Sequence, residues 1–549
     1  MSALWSGLSG GTRFLGGSAI VLALLGAALA ASGESLSAHL GFAAVVKIWG
    51  GALLVQLGLV GLGRILRLGG GSFAVARVLI AETVRRRVAW ICATLLLVGL
   101  AAIPYLVRSN SVLEYRLSSF LGYSLFVTFF LLAILTVFVA SGSLCEEIAD
   151  RRIHSVVVKP IGRVRFLFGK WLGLVLLNVL LLMVSGAVTL GSFHWELAVA
   201  EGDEAEVARV DHLLTTHHSV QPDRPEGLLE DVIERSAVRR SRDPELWQAM
   251  LSAEGGDEDQ ALIHLQRELY IESLAQWRNV RSGETRTYRF RVAGQAAQQA
   301  GSAPARLLLA PFFGRVHSTD RTRLLVRLDG VETPVFLGGG ESTELSVPAN
   351  ALADGELVVE IENPGGTQSG AHSANLVGRD RLSLEVQRGS LTGNLARALA
   401  ILAIQLAFIA AVGLAAGTFL GLPVAVLLVS LVLFAAAGGG FFAGDIAQDP
   451  LPSHLSEHDH SPDDGHGHDH SIGATSGFMR ALDGVGRSFI QIFSAWGRYS
   501  PIDAVSSGTE IPPRDLLGCL LWIGGAWTGI VACVGALIFR RREIARVQV

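Results

Sequence analysis

The sequence predicts an α-helical polytopic membrane protein of about eight spans, with an inserted α+β segment that ends in a β-sandwich-like domain. Three observations carry this prediction. The first is composition: of 549 residues, 50% are hydrophobic and only 17% charged, with a mean hydropathy of +0.44. Soluble domains carry about a quarter charged residues. The second is the grouping of those charges into blocks, separated by apolar runs of roughly the 20 residues that cross a bilayer. The third is a change of period after about residue 285, where apolar and polar residues begin to alternate.

The apolar runs fall at 14–32, 40–62, 88–107, 119–142, 171–192, 398–420, 423–443 and 516–539. The first ends in Ala28-Leu29-Ala30 before Ala31, which resembles a signal-peptidase site, with Arg13 as its only upstream charge. A retained helix and a cleaved signal both fit that run, and both place 63–87 on the same side. Lys and Arg concentrate on the cytoplasmic side of membrane helices. Here Arg64, Arg67, Arg77, Arg85, Arg86 and Arg87 follow the second run, and Arg151, Arg152, Lys159, Arg163, Arg165 and Lys170 follow the fourth. Arg540, Arg541 and Arg542 follow the last. These segments are therefore expected in the cytoplasm, with 193–397 and 444–515 outside, in a multi-pass protein of a bacterial cytoplasmic (inner) membrane. The expected divisions are 1–62 (two helices), 63–192 (a lead-in helix, three core helices and a cytoplasmic connection), the insert 193–397, 398–443 (two helices), the outer loop 444–515, and 516–549 (the last helix and a basic tail).

Within the insert, 200–280 is charged and helix-prone. From 285 onward TYRFRV, ARLLLAPFF, RLLVRLDG, ETPVFLG, STELSVPA, GELVVEIENP and RLSLEVQR read as short strands between turn residues. Such a domain suits binding a ligand or partner, or simply docking on its own helices. Cys92, Cys145, Cys519 and Cys533 all lie in or at the end of apolar runs, so no disulfide staples the insert. The loop at 454–471 interleaves His454, His458, His460, His466, His468 and His470 with aspartates. Imidazoles with nearby carboxylates suit zinc, copper or nickel. A weak divalent-metal site and a solvated loop both fit this Gly-, Pro- and Ser-containing stretch. Phe478, Met479, Leu482, Val485, Phe489, Ile490 and Phe493 then space out as an amphipathic helix, on the outer surface or packed against the bundle.

Catalytic motifs are absent. The one phosphate-loop lookalike, Gly162 to Gly169-Lys170-Trp171, has six intervening residues and no hydroxyl after the lysine. A Walker A loop has four, then Ser or Thr to hold magnesium. The chain is therefore expected to be no enzyme and to hold no cofactor of its own, with any energy source supplied by another chain. The bilayer is an expected partner and nucleic acid is not.

One stretch combines charge signs at the mouth of two long apolar runs: SLCEEIADRRIHSVVVKPIGRVRFLFGKWLG, 143–173. Basic residues there anchor helices, and the Arg85–Arg87 cluster is read the same way. Acidic residues gain nothing from anchoring, so Glu146, Glu147, Asp150, Arg151, Arg152, Lys159 and Pro160 are candidates for contact with another protein. Together with ARVLIAETVRRRVAWICATLLLVGLAAIP from Ala76 and REIARV at 542–547, this stretch resembles ABC-2 type permeases, specifically those of the multicopper-enzyme-maturation group. The resemblance covers about 88–539 and omits the first two runs, the insert and the His-rich loop. It implies a six-helix core, a dimer with a second copy or a sister chain, a separate ABC ATP-binding subunit coupled through 144–160, and an exporter function. The alternative is a membrane-anchored binding or assembly protein whose insert does the work.

Overall fold

The computed structural model describes residues 36–107, 113–149, 162–199, 210, 214–292, 305–313, 321–338, 341–352, 355–364, 374–377, 381–446, 496 and 499–541. The first apolar run, the His-rich loop and nearly all of the 474–497 stretch lie outside them. Helix α1 (Leu36–Ile65) leads to a short helix α2 (Gly71–Arg85), which carries two of the expected cytoplasmic arginines, Arg77 and Arg85. Three long helices follow: α3 (Val88–Leu106), α4 (Leu113–Ala149) and α5 (Arg163–Val199). At 1.5 Å per residue, the 37 residues of α4 and of α5 span about 55 Å, well beyond a hydrocarbon core of about 30 Å. Both helices therefore continue past their apolar runs into polar surroundings.

The chain divides into two compact units, one formed by 217–388 with 443–487 and the other by the remaining residues. The former opens with strand β1 (Thr215–Val220) and three helices, α6 (Leu228–Arg242), α7 (Pro244–Ala253) and α8 (Glu258–Arg278). These pack through Val232, Trp247, Leu265, Leu269 and Leu274. Asp243 and Asp257 cap α7 and α8 by accepting backbone N–H bonds, as helix-starting aspartates do. The strands β2 (Asn279–Val280), β3 (Glu284–Arg291), β4 (Ala305–Leu309), β5 (Phe312–Phe313), β6 (Thr322–Leu328), β7 (Val331–Leu337), β8 (Thr343–Val347), β9 (Glu356–Asn363), β10 (Ala374–Asn375) and β11 (Leu382–Ser390) then form three sheets. Their orders are β3-β9-β6-β7, β1-β11-β4-β8 and β2-β10-β5. All seven alternating runs form strands. Their inward residues, among them Tyr288, Phe290, Leu307, Val326, Val359 and Leu384, meet in one apolar core. Asp329 and Gly330, both at positive φ, make the two-residue turn between β6 and β7. Tyr288 donates its hydroxyl to the Trp277 carbonyl at 3.1 Å, tying α8 to the sheets, and burial pushes its phenol pKa up.

After β11 the chain re-enters the helical unit as α9 (Leu391–Gly417) and α10 (Leu422–Ile446), then a short α11 (Pro501–Ser506). The final span is α12 (Pro513–Cys519), a π-helical stretch at Leu520–Trp527, and α13 (Thr528–Arg541). The Thr528 hydroxyl donates to the Ile523 carbonyl five residues back, at 2.7 Å, in keeping with the wider π turn. Among the described residues, six helices are long and apolar enough to cross a membrane, and α10 is a further apolar helix. Their packed sides form one large core. Their outer sides are apolar too: Phe126, Phe130, Ile134 and Phe138 make an exposed stripe on α4, and Leu427, Leu431 and Phe434 one on α10. Continuous exposed apolar stripes of this kind are unfavourable in water and favourable in lipid. The protein is a multi-pass membrane protein with a separate β-rich unit.

Candidate functional site

Glu146 and Glu147 sit in the last turn of α4, at an end of the helical unit where basic residues gather. How that end is assembled depends on glycine. On α5, a Cβ at Gly169 would lie 2.6 Å from the Ser72 carbonyl oxygen and 2.7 Å from Val75 Cβ, and one at Gly173 would lie 2.8 Å from the Ala76 carbonyl oxygen. The bare backbone of Gly169-x-x-x-Gly173 thus lets α2 lie directly on α5, the small-residue packing expected of helices in membranes. Gly413 and Gly417 do the same between α9 and α4, against Ala140, Ser141 and Leu144. Gly535 brings α13 against Ala415.

With α2, α4 and α5 drawn together, their charges meet. Arg86, just past α2, pairs with Glu82 at 2.7 Å and hydrogen-bonds Glu146, which holds its guanidinium above its ordinary pKa. Lys170 Nζ stands 2.9 Å from Glu147 Oε2, donates to the Ser143 carbonyl at 2.7 Å, and lies 5.2 Å over the Phe166 ring. The two acids therefore have partners inside the chain, which bears on the reasoning that only an interprotein contact explains them. Exposure separates the two pairs. The Arg86 and Glu146 side chains are 43% and 41% exposed, whereas Lys170 is 3% and Glu147 22% exposed. An exposed pair contributes about 0–1 kcal/mol, so Glu146 remains available to exchange Arg86 for another cation. Glu147 is held in place as the counter-charge of a buried lysine. Sequence reading identified the acids but not these partners, although Lys170 facing an apolar run was the available signal.

Asp150, Arg151, Arg152, Lys159 and Pro160 lie outside the described residues, as do all six loop histidines from His454 to His470. Among the described residues no group of three or more His, Cys, Asp or Glu side chains converges as a metal site.

The opposite end of the helical unit holds a second polar junction that sequence reading missed. Asn394 on α9 donates to the Thr509 carbonyl and accepts from the Ile511 N–H, each at 2.8 Å. Arg397 pairs with Glu510 at 3.0 Å and donates to the Ile511 carbonyl, while Ser118 on α4 donates to the Ser506 carbonyl at 2.6 Å. These side chains replace the regular backbone bonds that the segment between α11 and α12 lacks. Between the two ends, Asn178 on α5 donates to Thr136 on α4 at 2.8 Å, a buried interhelical hydrogen bond. No family model, curated protein or solved structure matches this chain.

Proposed function

We propose that this chain is the membrane-spanning permease subunit of an ABC-type exporter, driven by a separate ATP-binding subunit that carries ATP and magnesium. The observation that carries the reading is the end of α4: an exposed acid, Glu146, on a junction that clamps α2, α4 and α5 together. A partner pushing on that junction would move three helices at once. In this reading the basic end is cytoplasmic, the β-rich unit lies outside a bacterial inner membrane, and two permeases form the transport path. The core from α3 to α13 is of the ABC-2 type. Because the β-rich unit has apolar cores of its own, the rival reading is a membrane-anchored binding or assembly protein.

Orientation is tested by single cysteines at Ser155, Ala545, Gln260 and Gly465 in a background lacking the native four. In intact cells a membrane-impermeant thiol reagent should label 260 and 465 and leave 155 and 545 unmodified. Labelling at 155 reverses the topology.

Coupling is tested by co-expression with an ATP-binding cassette chain. The wild-type permease should co-purify with it and stimulate its hydrolysis. Glu146→Lys should leave insertion intact, since its pair with Arg86 is exposed. It should cut stimulation at least tenfold, because losing one partner of a buried interface charge pair costs about 2–5 kcal/mol. Unchanged stimulation in the variant removes Glu146 from the contact, and no stimulation by the wild type favours the rival.

A further inference from the structure

We infer that the α5–α13 corner binds the phosphate of an anionic phospholipid headgroup. An open pocket of about 620 Å³ lies there, lined by Gly162, Arg163, Val164, Arg165 and Arg540, three of the five being arginines. The corner is built by Arg163, which donates to the Phe539 and Arg540 carbonyls at 3.3 and 3.0 Å and so caps the C-terminal end of α13. Arg165 and Arg540 are exposed, and among the described residues neither side chain has a carboxylate partner. The N-terminus of α5 adds to the field. Its first intrahelical bond runs from the Phe166 N–H to the Gly162 carbonyl, so the N–H groups of 163–165 precede the helical ladder. Guanidinium groups beside a helix N-terminus favour a phosphate oxyanion.

The surroundings decide between a lipid and a free phosphate. Arg163 and Arg541 end two of the candidate membrane spans. Exposed apolar residues lead away from the pocket along both helices: Val164 and Phe168 on α5, and Leu537, Val534 and Ile530 on α13. A soluble anion makes no use of those faces, whereas the acyl chains of a phospholipid lie along them. Basic pockets between membrane helices are where acidic headgroups settle. This assignment holds whether or not the chain transports anything.

The test uses the full chain in detergent, offered phosphatidylglycerol or phosphatidylcholine with the same acyl chains, with bound lipid counted by native mass spectrometry. The wild type should retain phosphatidylglycerol in preference. Arg165→Gln with Arg540→Gln should weaken that binding roughly 10- to 30-fold and leave phosphatidylcholine unchanged. A control with the same loss of charge, Arg64→Gln with Arg67→Gln, should behave as wild type. Millimolar inorganic phosphate should not displace the lipid. Equal retention of the two lipids, or equal loss in both variants, overturns the pocket. Displacement by phosphate overturns the lipid as its occupant.

Discussion

Replacing Glu147 with Gln should destabilise the helical unit by about 3–5 kcal/mol, the usual cost of stranding one member of a buried ion pair. Replacing Lys170 with Met should cost clearly less. The asymmetry follows from exposure: Lys170 is 3% exposed and Glu147 22%. Without Glu147, a full positive charge stays buried with no carboxylate in contact among the described residues, facing the Ser143 carbonyl and the Phe166 ring, with Glu82 acting from further away. Without Lys170, the carboxylate can still reach water, and Met fills most of the vacated volume along Phe166. The double variant Glu147→Gln with Lys170→Met should therefore recover much of the stability lost by the first change alone. Unfolding in mixed micelles, followed as a double-mutant cycle, measures this directly. Two equal single effects would show that the pair is hydrated and that its exposure does not set its energy.

The same contrast shows how much was legible in the sequence. Apolar run length and alternation report backbone and burial, which are local, and so α1, α3–α5, α9, α10, the last span and all seven strand runs were readable. The polar strand β1, TTHHSV, has no apolar alternation to mark it, and it lies at the sheet edge beside β11. The π-helical turn in the last span was equally hidden, since the Gly524-Gly525 pair and Thr528 look like ordinary small residues in an apolar run. The acids at the end of α4 stand out because their charge sign is wrong for anchoring. Their partners do not, because pairing of Glu146 with Arg86 joins residues sixty apart and depends on α2 folding back over α5. In the sequence Lys170 is indistinguishable from the other cytoplasmic basic residues for the same reason. Local sequence carries charge, whereas the third dimension decides which charge answers it.

Gly173→Leu should unseat α2 from α5 at the basic end. A Cβ at 173 would lie 2.8 Å from the Ala76 carbonyl oxygen and 2.9 Å from its Cα, so the obstacle is backbone and cannot rotate away as a side chain can. Overpacking typically costs about 1–3 kcal/mol, but here the relief available is for α2 to lift off α5. Lifting α2 carries Arg86 away from Glu146 and exposes Leu79 and Ile80, which are buried at 5% and 0%. Hydrogen exchange over 71–85 should therefore rise sharply in the variant while α9 stays protected. Gly191→Leu, on the same helix where nothing stands within 4 Å, should change neither. If the junction passes movement from an ATP-binding subunit to the bundle, as proposed, Gly173→Leu should also abolish stimulated ATP hydrolysis while Gly191→Leu preserves it. Faster exchange with hydrolysis intact would leave the packing argument standing and remove α2 from the transmission path, because the helix would then be dispensable to coupling although it is docked by design of the glycines.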